Sequence, residues 1–293
     1  MIIAIFGTIL YEINRQILTL FSVNIGGSTT IFEFGGLAGG VLAILLALTR
    51  HKDVIFNHSF YVSHKFNATF AMVGAAFIWV FFPVLNMDIP GTLFIYTNGG
   101  ISTVISISAA VVAAVGFSLV LNGKLEFRDI ITAPIAGGVI IGSSSTYIYN
   151  PLQSLLLGSG AGILQVLFNL LEKQMGNRPM WSNGVLFLFG VQGFLGGIFS
   201  AVMRAINQSQ DSYSSSYAAL PSMYRFDQRG QVSATFVTLG TGVATGLILY
   251  VLVAIFNNEP IEDLYHDRAY WIIDEDGISE RVFSEASESI EVS

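Results

Sequence analysis

Residues 93–121 read LFIYTNGGISTVISISAAVVAAVGFSLVL and contain no charged side chain. A helix needs roughly 20 apolar residues to cross a hydrocarbon core of about 30 Å, so this stretch is long enough to span a membrane. Seven further stretches have similar character, and the joints between them are mostly short and marked by charge, Asn, Pro or Gly. The eight predicted spans lie near residues 2–21, 29–49, 67–87, 93–121, 130–149, 151–171, 184–204 and 231–256.

The composition supports the same interpretation. Hydrophobic residues make up 53% of the chain and charged residues only 11%, which would leave a soluble protein of this size short of polar surface. The charges are also concentrated, because residues 257–293 hold 11 of the 20 acidic and 2 of the 13 basic groups. We therefore divide the chain into a transmembrane domain, residues 1–256, and an acidic tail, residues 257–293. The fold class is predicted to be an all-α, polytopic bundle of about eight spans.

The distribution of basic residues predicts the orientation. Basic residues are retained on the side from which a membrane protein inserts, and with eight spans both termini share one side. The connections on that side hold Arg50, Lys52, Lys65, Lys124, Arg128, Lys173 and Arg178, against Arg204, Arg225 and Arg229 on the other. Both termini are therefore placed on the cytosolic or mitochondrial-matrix side.

Chemistry-bearing motifs are scarce. The chain has no cysteine, which excludes disulfides, thiolate metal sites and thiol catalysis. No catalytic triad, phosphate loop or paired-carboxylate pattern is present, and the histidine spacing matches no metal motif. We expect no enzymatic activity, no metal and no cofactor other than structural lipid, and nothing indicates a nucleic-acid partner. The four histidines lie in predicted loops or the tail: His51, His58, His64 and His266.

Small residues recur at four-residue spacing in several spans. Such faces allow helix backbones to approach closely in lipid, and we expect them to pack mainly within the chain. The pairs are Gly35 with Gly39, Gly36 with Gly40, Gly158 with Gly162, Gly193 with Gly197, and Gly242 with Gly246.

Five motifs follow one another along nearly the whole chain. They are GGSTTIFEFG at 26–35, FAMVG at 70–74 with FPVLN at 82–86, KLE at 124–126 with AGGV at 136–139, FGVQGFLGG at 189–197, and ED at 262–263 with YW at 270–271. Together, in this order, they resemble motifs of the Rh glycoprotein branch of the ammonium transporter family: GGSxTIHxFG, FAMIG with WPSFN, KLD with LAGGVAVG, HGIPGIIGG, and ED with YW.

The resemblance implies a partial and degenerate transporter. The family has eleven core helices in two inverted halves, so this chain is expected to lack the first three and part of the wall around the conduction path. The family's twin pore histidines correspond to Phe32 and Phe189, and its recruiting aspartate corresponds to Asn24. The gate phenylalanine of WPSFN corresponds to Leu85. Each of these substitutions removes chemistry that ammonium conduction uses.

Three ionisable residues fall inside predicted spans, where an uncompensated charge costs at least about 2.5 kcal/mol. Glu12 and Arg15 are three residues apart on one helix and can pair, either within that helix or with another subunit. Glu33 lies beside Phe32 near the start of its helix. It could attract a cation, or it could be a hydrogen-bonded structural carboxylate.

The expected function is that of a pseudo-transporter, a non-conducting structural subunit of a larger membrane complex. It is expected to contact other membrane subunits through three surfaces: the edge left by the three missing helices (the truncated edge), the 205–230 loop and the acidic tail. Lipid is a further expected neighbour. The mitochondrial inner membrane is one setting for such a complex, and retention of the family's homotrimer stays open. Two alternatives remain: a channel for ammonia or carbon dioxide with an aromatic-lined pore, and a sensor that signals through the tail.

Overall fold

The computed structural model describes residues 2–21, 27–49, 65–87, 93–146, 148–174, 184–207 and 228–256. Within these ranges the secondary structure is helical, as predicted, and a helix occupies each of the eight predicted spans. The helices are α1 (Ile2–Thr19), α2 (Phe34–Thr49), α3 (Lys65–Leu85), α4 (Leu93–Asn122), α5 (Phe127–Ile141), α6 (Pro151–Gln174), α7 (Gln192–Asn207) and α8 (Gln228–Phe256).

Two helices begin with a π-helical turn, a rare geometry that is frequent at functional sites. The first turn, π1 (Ser28–Glu33), runs directly into α2, and the second, π2 (Leu186–Val191), runs into α7. Gly27 precedes π1 with φ of 68°, a left-handed conformation that glycine adopts without a steric penalty. Its carbonyl oxygen accepts hydrogen bonds from the backbone nitrogens of both Ile31 (2.9 Å) and Phe32 (3.0 Å), which fixes the wide first turn.

Five helical segments of the described chain are long and apolar enough to cross a membrane: Ser28–Leu46, Tyr96–Asn122, Pro151–Gln174, Leu186–Ile206 and Arg229–Phe256. A shorter apolar helix covers Thr69–Leu85. Helix α1 has 18 residues and includes two charged side chains, while α5 has 15 residues. The eight predicted spans are thus all helical, but they are not equal in length or hydropathy.

The predicted span 130–149 was too long at its C-terminal end. Helix α5 stops at Ile141, and residues 142–146 form turns. The hydroxyl of Ser144 donates to the carbonyl of Ile141 (3.1 Å) and that of Ser145 to the carbonyl of Gly142 (3.2 Å). Serine hydroxyls that bond to nearby carbonyls compete with the helical ladder, so the polar run 143–146 ends the helix inside the protein.

Glycines of four of the five predicted pairs set close helix contacts within the chain, whereas Gly35 meets nothing within 4 Å and Gly39 has its nearest neighbour at 4.0 Å. A Cβ built on Gly158 would lie 2.1 Å from the carbonyl oxygen of Ser106, and one on Gly162 would lie 2.2 Å from that of Ala110. Helices α4 and α6 therefore meet backbone to backbone, and α5 packs against both. The other half of the bundle joins α2 to α8 and π1 to α7, with α1 outermost against α8.

Candidate functional site

Three phenylalanine rings stack at the centre of the main hydrophobic core. The ring of Phe32, on π1, lies between those of Phe82, on α3, and Phe189, on π2. Its centroid is 5.5 Å from that of Phe82, with planes 21° apart, and 5.7 Å from that of Phe189, with planes 12° apart. Phe82 is 5% exposed, while the other two rings are partly buried against the same core. We call Phe82, Phe32 and Phe189 the aromatic stack.

Glycines position the rings of the stack. A Cβ on Gly36, one turn after Phe32, would lie 2.1 Å from the backbone nitrogen of Gly190. Helix α2 and π2 therefore touch directly, which places Phe32 opposite Phe189. On the other side, a Cβ on Gly138 would lie 2.6 Å from two carbons of the Phe82 ring. The ring of Phe82 thus fills the space that this glycine leaves on α5.

Polar side chains attach the elements around the stack to each other. The Ser28 hydroxyl donates to the carbonyl of Val139 (2.6 Å) and accepts from the backbone nitrogen of Ser143 (2.8 Å). Ser200, on α7, donates to the carbonyl of Ser143 (2.6 Å). These buried bonds connect π1 and α7 to the end of α5, where side chains bind backbone N–H and C=O groups of the last turn and of the residues that follow the helix. The stack is therefore held by a rigid polar frame.

Asn86 extends this frame from the end of α3. Its amide nitrogen lies 3.2 Å from both the Thr103 hydroxyl and the carbonyl of Gly138, to which it donates. The Ser145 hydroxyl shares its one proton between the Gly142 carbonyl and the backbone carbonyl oxygen of Asn86, which lies 3.1 Å away. These bonds attach the last turn of α3, which carries Phe82, to α4 and α5.

The predicted site residues have different fates. Phe32 and Phe189, which correspond to the pore histidines, are in contact, whereas Asn24 lies outside the described residues. Leu85, which corresponds to the gate phenylalanine, is 42% exposed and does not join the stack. The third ring is that of Phe82, three residues earlier on α3, where the helix faces the core rather than the surface. Phe82 was not predicted as a site residue, although it is the first residue of the FPVLN motif.

Glu12 and Arg15 pair within α1. The Arg15 Nε donates to Glu12 Oε2 at 2.9 Å and Nη2 donates to Oε1 at 3.0 Å, giving a two-pronged ion pair. Gln16 adds a hydrogen bond to Glu12 Oε1 at 2.8 Å. Both charged side chains are about half exposed, at 54% and 46%. The pair is therefore self-contained and lies on the surface of this chain.

Glu33 is in the opposite situation. It is the last residue of π1, is 0% exposed, and neither carboxylate oxygen has a hydrogen-bond partner in the described part of the chain. Glu33 lies inside a helical span, as predicted. The described residues do not supply the hydrogen bonds that a structural carboxylate would need.

A buried carboxylate that sequence reasoning missed lies at the other end of the bundle. Asp129, in the first turn of α5, accepts from Ser118 on α4 (2.7 Å) and from Asn169 on α6 (2.8 Å). Next to it, Arg128 forms an ion pair with Glu172. These contacts join α4, α5 and α6 near their ends, and because Asp129 is paired, the cluster is structural.

The aromatic stack has simple chemistry. A phenyl ring has no proton to donate or accept through nitrogen or oxygen, so the stack cannot relay a proton. Within the described residues no group of three or more His, Cys, Asp or Glu side chains is arranged to hold a metal ion. The site is an apolar aromatic cluster surrounded by a hydrogen-bonded polar frame.

Fold and site together define a polytopic membrane helix bundle with an aromatic centre. The model of the Ammonium Transporter Family matches residues 3–262, and the chain belongs to this family. It is 30% identical over 293 residues to ammonium transporter Rh type B of Danio rerio, covering 92% of this chain and 62% of that protein. It is 32% identical over 285 residues to Rh type B of Takifugu rubripes, covering 92% and 61%.

Solved structures agree on the fold. Rh50 of Nitrosomonas europaea superposes with a TM-score of 0.69 at 23% identity, covering 100% of this chain and 73% of that one. A sensor Amt protein superposes with a TM-score of 0.62 at 19% identity, covering 84% and 59%. The chain thus spans about three-fifths of the length of the Rh relatives named above. It is an Rh-like membrane protein of a family of transporters rather than enzymes.

Proposed function

We propose that this Rh-like protein does not conduct ammonium and acts as a structural subunit of a larger membrane assembly. The observation that supports this most directly is the aromatic stack. It occupies the two positions that the resemblance assigns to the pore histidines, Phe32 and Phe189, and adds a third ring from Phe82.

The dimensions of the stack favour closure over conduction. Ring centroids 5.5 and 5.7 Å apart place neighbouring faces against each other, without space for an ion between them. A cation can be attracted to an aromatic face, but here each facing surface is covered by another ring. An ammonium ion would have to lose its hydration shell with no acceptor from the stack in return. The expected barrier is therefore high.

Uptake of labelled methylammonium into proteoliposomes tests this part of the proposal. The protein should give the same uptake as protein-free liposomes, while Rh type B of Danio rerio, reconstituted in parallel, serves as the positive control. Uptake well above the protein-free rate would refute the loss of conduction.

The assembly role concerns the acidic tail, which lies outside the described residues, together with two further surfaces. The tail combines a net charge of −9 with apolar side chains including Tyr270 and Trp271, a combination suited to docking on a basic protein surface. The 205–230 loop and the edge formed by α1 are the other proposed contacts, with bound lipid between subunits. Deleting residues 274–293 should reduce the size of the complex on a native gel after mild detergent extraction, while insertion into the membrane is retained. Unchanged migration would contradict a docking role for the tail.

A channel for a neutral gas is the second candidate. Phe32 and Phe189 are only partly buried, so part of their apolar surface stays accessible. Carbon dioxide or ammonia needs no proton relay, and an apolar path does not exclude it. Gas permeability of proteoliposomes separates this candidate from the structural one.

The location of the assembly is part of the same proposal. The basic connections favour both termini on the cytosolic or matrix side, and the mitochondrial inner membrane is one setting for the assembly. Protease protection of an epitope added after Ser293, in intact and opened organelles, tests both the membrane and the orientation.

A further inference from the structure

Glu33 lies within the membrane-spanning segment Ser28–Leu46 and is completely buried. Both its carboxylate oxygens lack a hydrogen-bond partner among the described residues. Burying an ionised carboxylate in such surroundings costs far more free energy than one hydrogen bond contributes. Burying a neutral carboxyl group without a hydrogen-bond partner is also unfavourable. Buried polar groups are usually satisfied, so this one requires an explanation.

The helix segments packed directly around Glu33 supply no countercharge. π1 and α2 contact π2, α7 and α8, and residues 34–49, 184–203 and 230–256 contain no Asp, Glu, Lys, Arg or His. On α8, Arg229 precedes Thr235 by six residues, roughly 9 Å along the helix axis. On α1, Arg15 is bound to Glu12. On α5, Arg128 is bound to Glu172. The next cation along α7 is Arg204, eleven residues after Gly193 and therefore roughly 16 Å further along the helix axis.

Neutral oxygen atoms, in contrast, lie on the elements packed against Glu33. A Cβ on Gly193 would lie 2.6 Å from the backbone nitrogen of Glu33. A Cβ on Gly197, one turn later, would lie 2.3 Å from the Thr235 hydroxyl oxygen and 2.9 Å from that of Thr29. The glycine pair on α7 thus leaves a space in which hydroxyls from π1 and α8 meet.

These oxygens are suited to a cation. Thr29 precedes Glu33 by four residues, so the two side chains are neighbours on one helix face. The Thr235 hydroxyl donates its proton to the carbonyl of Gln231 at 3.0 Å, which leaves its oxygen lone pairs directed away from that bond. Carboxylate and hydroxyl oxygens are the donors that hard cations prefer. One carboxylate balances one positive charge, so a monovalent ion leaves the buried group neutral.

We propose that Glu33, with the hydroxyl oxygens of Thr29 and Thr235, forms a buried site that holds a small monovalent cation, and a proton when that cation is absent. The proposal is independent of conduction, because it concerns the occupancy of one site and not passage through the stack. It gives the carboxylate the partner that the described residues do not supply.

A hydrophobic carbodiimide tests both states of the site. A protonated carboxyl adds its O–H across the carbodiimide to give an O-acylisourea, which rearranges to a stable N-acylurea, while a cation-bound carboxylate does not react. The full-length protein in detergent should be labelled on the peptide that contains Glu33, as read by mass spectrometry. Sodium chloride at about ten times its dissociation constant should reduce this labelling roughly tenfold, and choline chloride at the same ionic strength should not.

Three variants separate the site from general effects. Glu33→Gln should abolish labelling of this peptide. Thr235→Val removes one ligand without changing side-chain size, so labelling should persist but require more sodium for protection. Thr241→Val, which removes a hydroxyl two turns further along α8, should keep the wild-type sodium dependence. Labelling that sodium does not reduce, or no labelling of Glu33 in the absence of sodium, would overturn the proposal.

Discussion

The contact between Gly36 and Gly190 holds the aromatic stack together, and substituting Gly36 by Ala tests it. The added Cβ would lie 2.1 Å from the Gly190 nitrogen and 2.6 Å from its Cα. Carbon atoms in contact prefer about 3.5–4.0 Å, so α2 and π2 must separate by roughly 1 Å or more. Both atoms belong to the backbone, so no side-chain rotation can relieve the clash.

The size of the effect follows from two opposing terms. Overpacking costs about 1–3 kcal/mol, and a backbone clash lies at the upper end of that range. In the opposite direction, replacing Gly by Ala inside a helix stabilises the folded protein by about 1 kcal/mol, because Ala has the higher helix propensity. The net loss is therefore on the order of 2 kcal/mol, which corresponds to a fall in Tm of roughly 4–8 °C for a domain of this size.

Gly35 provides the matched control on the same helix. It is exposed, and a Cβ built on it would meet nothing within 4 Å, so Gly35→Ala should be neutral or slightly stabilising. The melting of both variants can be followed in detergent by the fluorescence of the three tryptophans. If Gly36→Ala melted at the same temperature as Gly35→Ala, the argument that this contact positions the stack would be refuted.

Three further substitutions test the packing of the bundle. Gly158→Ala should lower Tm by several degrees, because the new Cβ would lie 2.1 Å from a carbonyl oxygen of α4. Gly160→Ala should not, because a Cβ there would meet nothing within 4 Å. The same Tm for both variants would contradict the α4–α6 contact. Asn14→Ala removes the side-chain oxygen that accepts the Thr241 hydroxyl hydrogen bond (2.6 Å), and should lower the free energy of unfolding by about 1 kcal/mol and with it the Tm. Adding Thr241→Val to Asn14→Ala should not lower the Tm further, because the bond between the two residues is already lost. Arg15→Leu should leave the Tm of the purified chain unchanged, since its ion pair is exposed, but should weaken association in the native membrane if α1 forms the proposed edge.

The fold could be predicted largely from hydropathy. Backbone groups in lipid must be satisfied within each segment, so long apolar stretches become helices whatever their neighbours. The end of α5 could not be predicted in this way, because Ser144 and Ser145 compete for carbonyls only once the turn is inside the protein. The sequence shows the polar run at 143–146, but not which carbonyls its hydroxyls bind.

The site was predictable only in part. The motifs identified Phe32 and Phe189, whose contact depends on glycines within the same motifs. They did not identify the third ring, because only packing decides that Phe82 faces the core while Leu85, three residues later on α3, is exposed. The isolation of Glu33 depends on which helices pack around π1, and no local pattern contains that information.

The central claim is that the aromatic stack closes the path through this protein, and stopped-flow measurement of ammonia entry tests it most directly. Proteoliposomes containing the wild-type protein and a pH-sensitive dye should alkalinise at the protein-free rate after an ammonium jump. The double variant Phe32→Ala, Phe189→Ala removes two of the three rings and should alkalinise faster. Rapid entry through the wild-type protein, at a rate that the double variant does not increase, would contradict closure by the stack and favour a working gas channel.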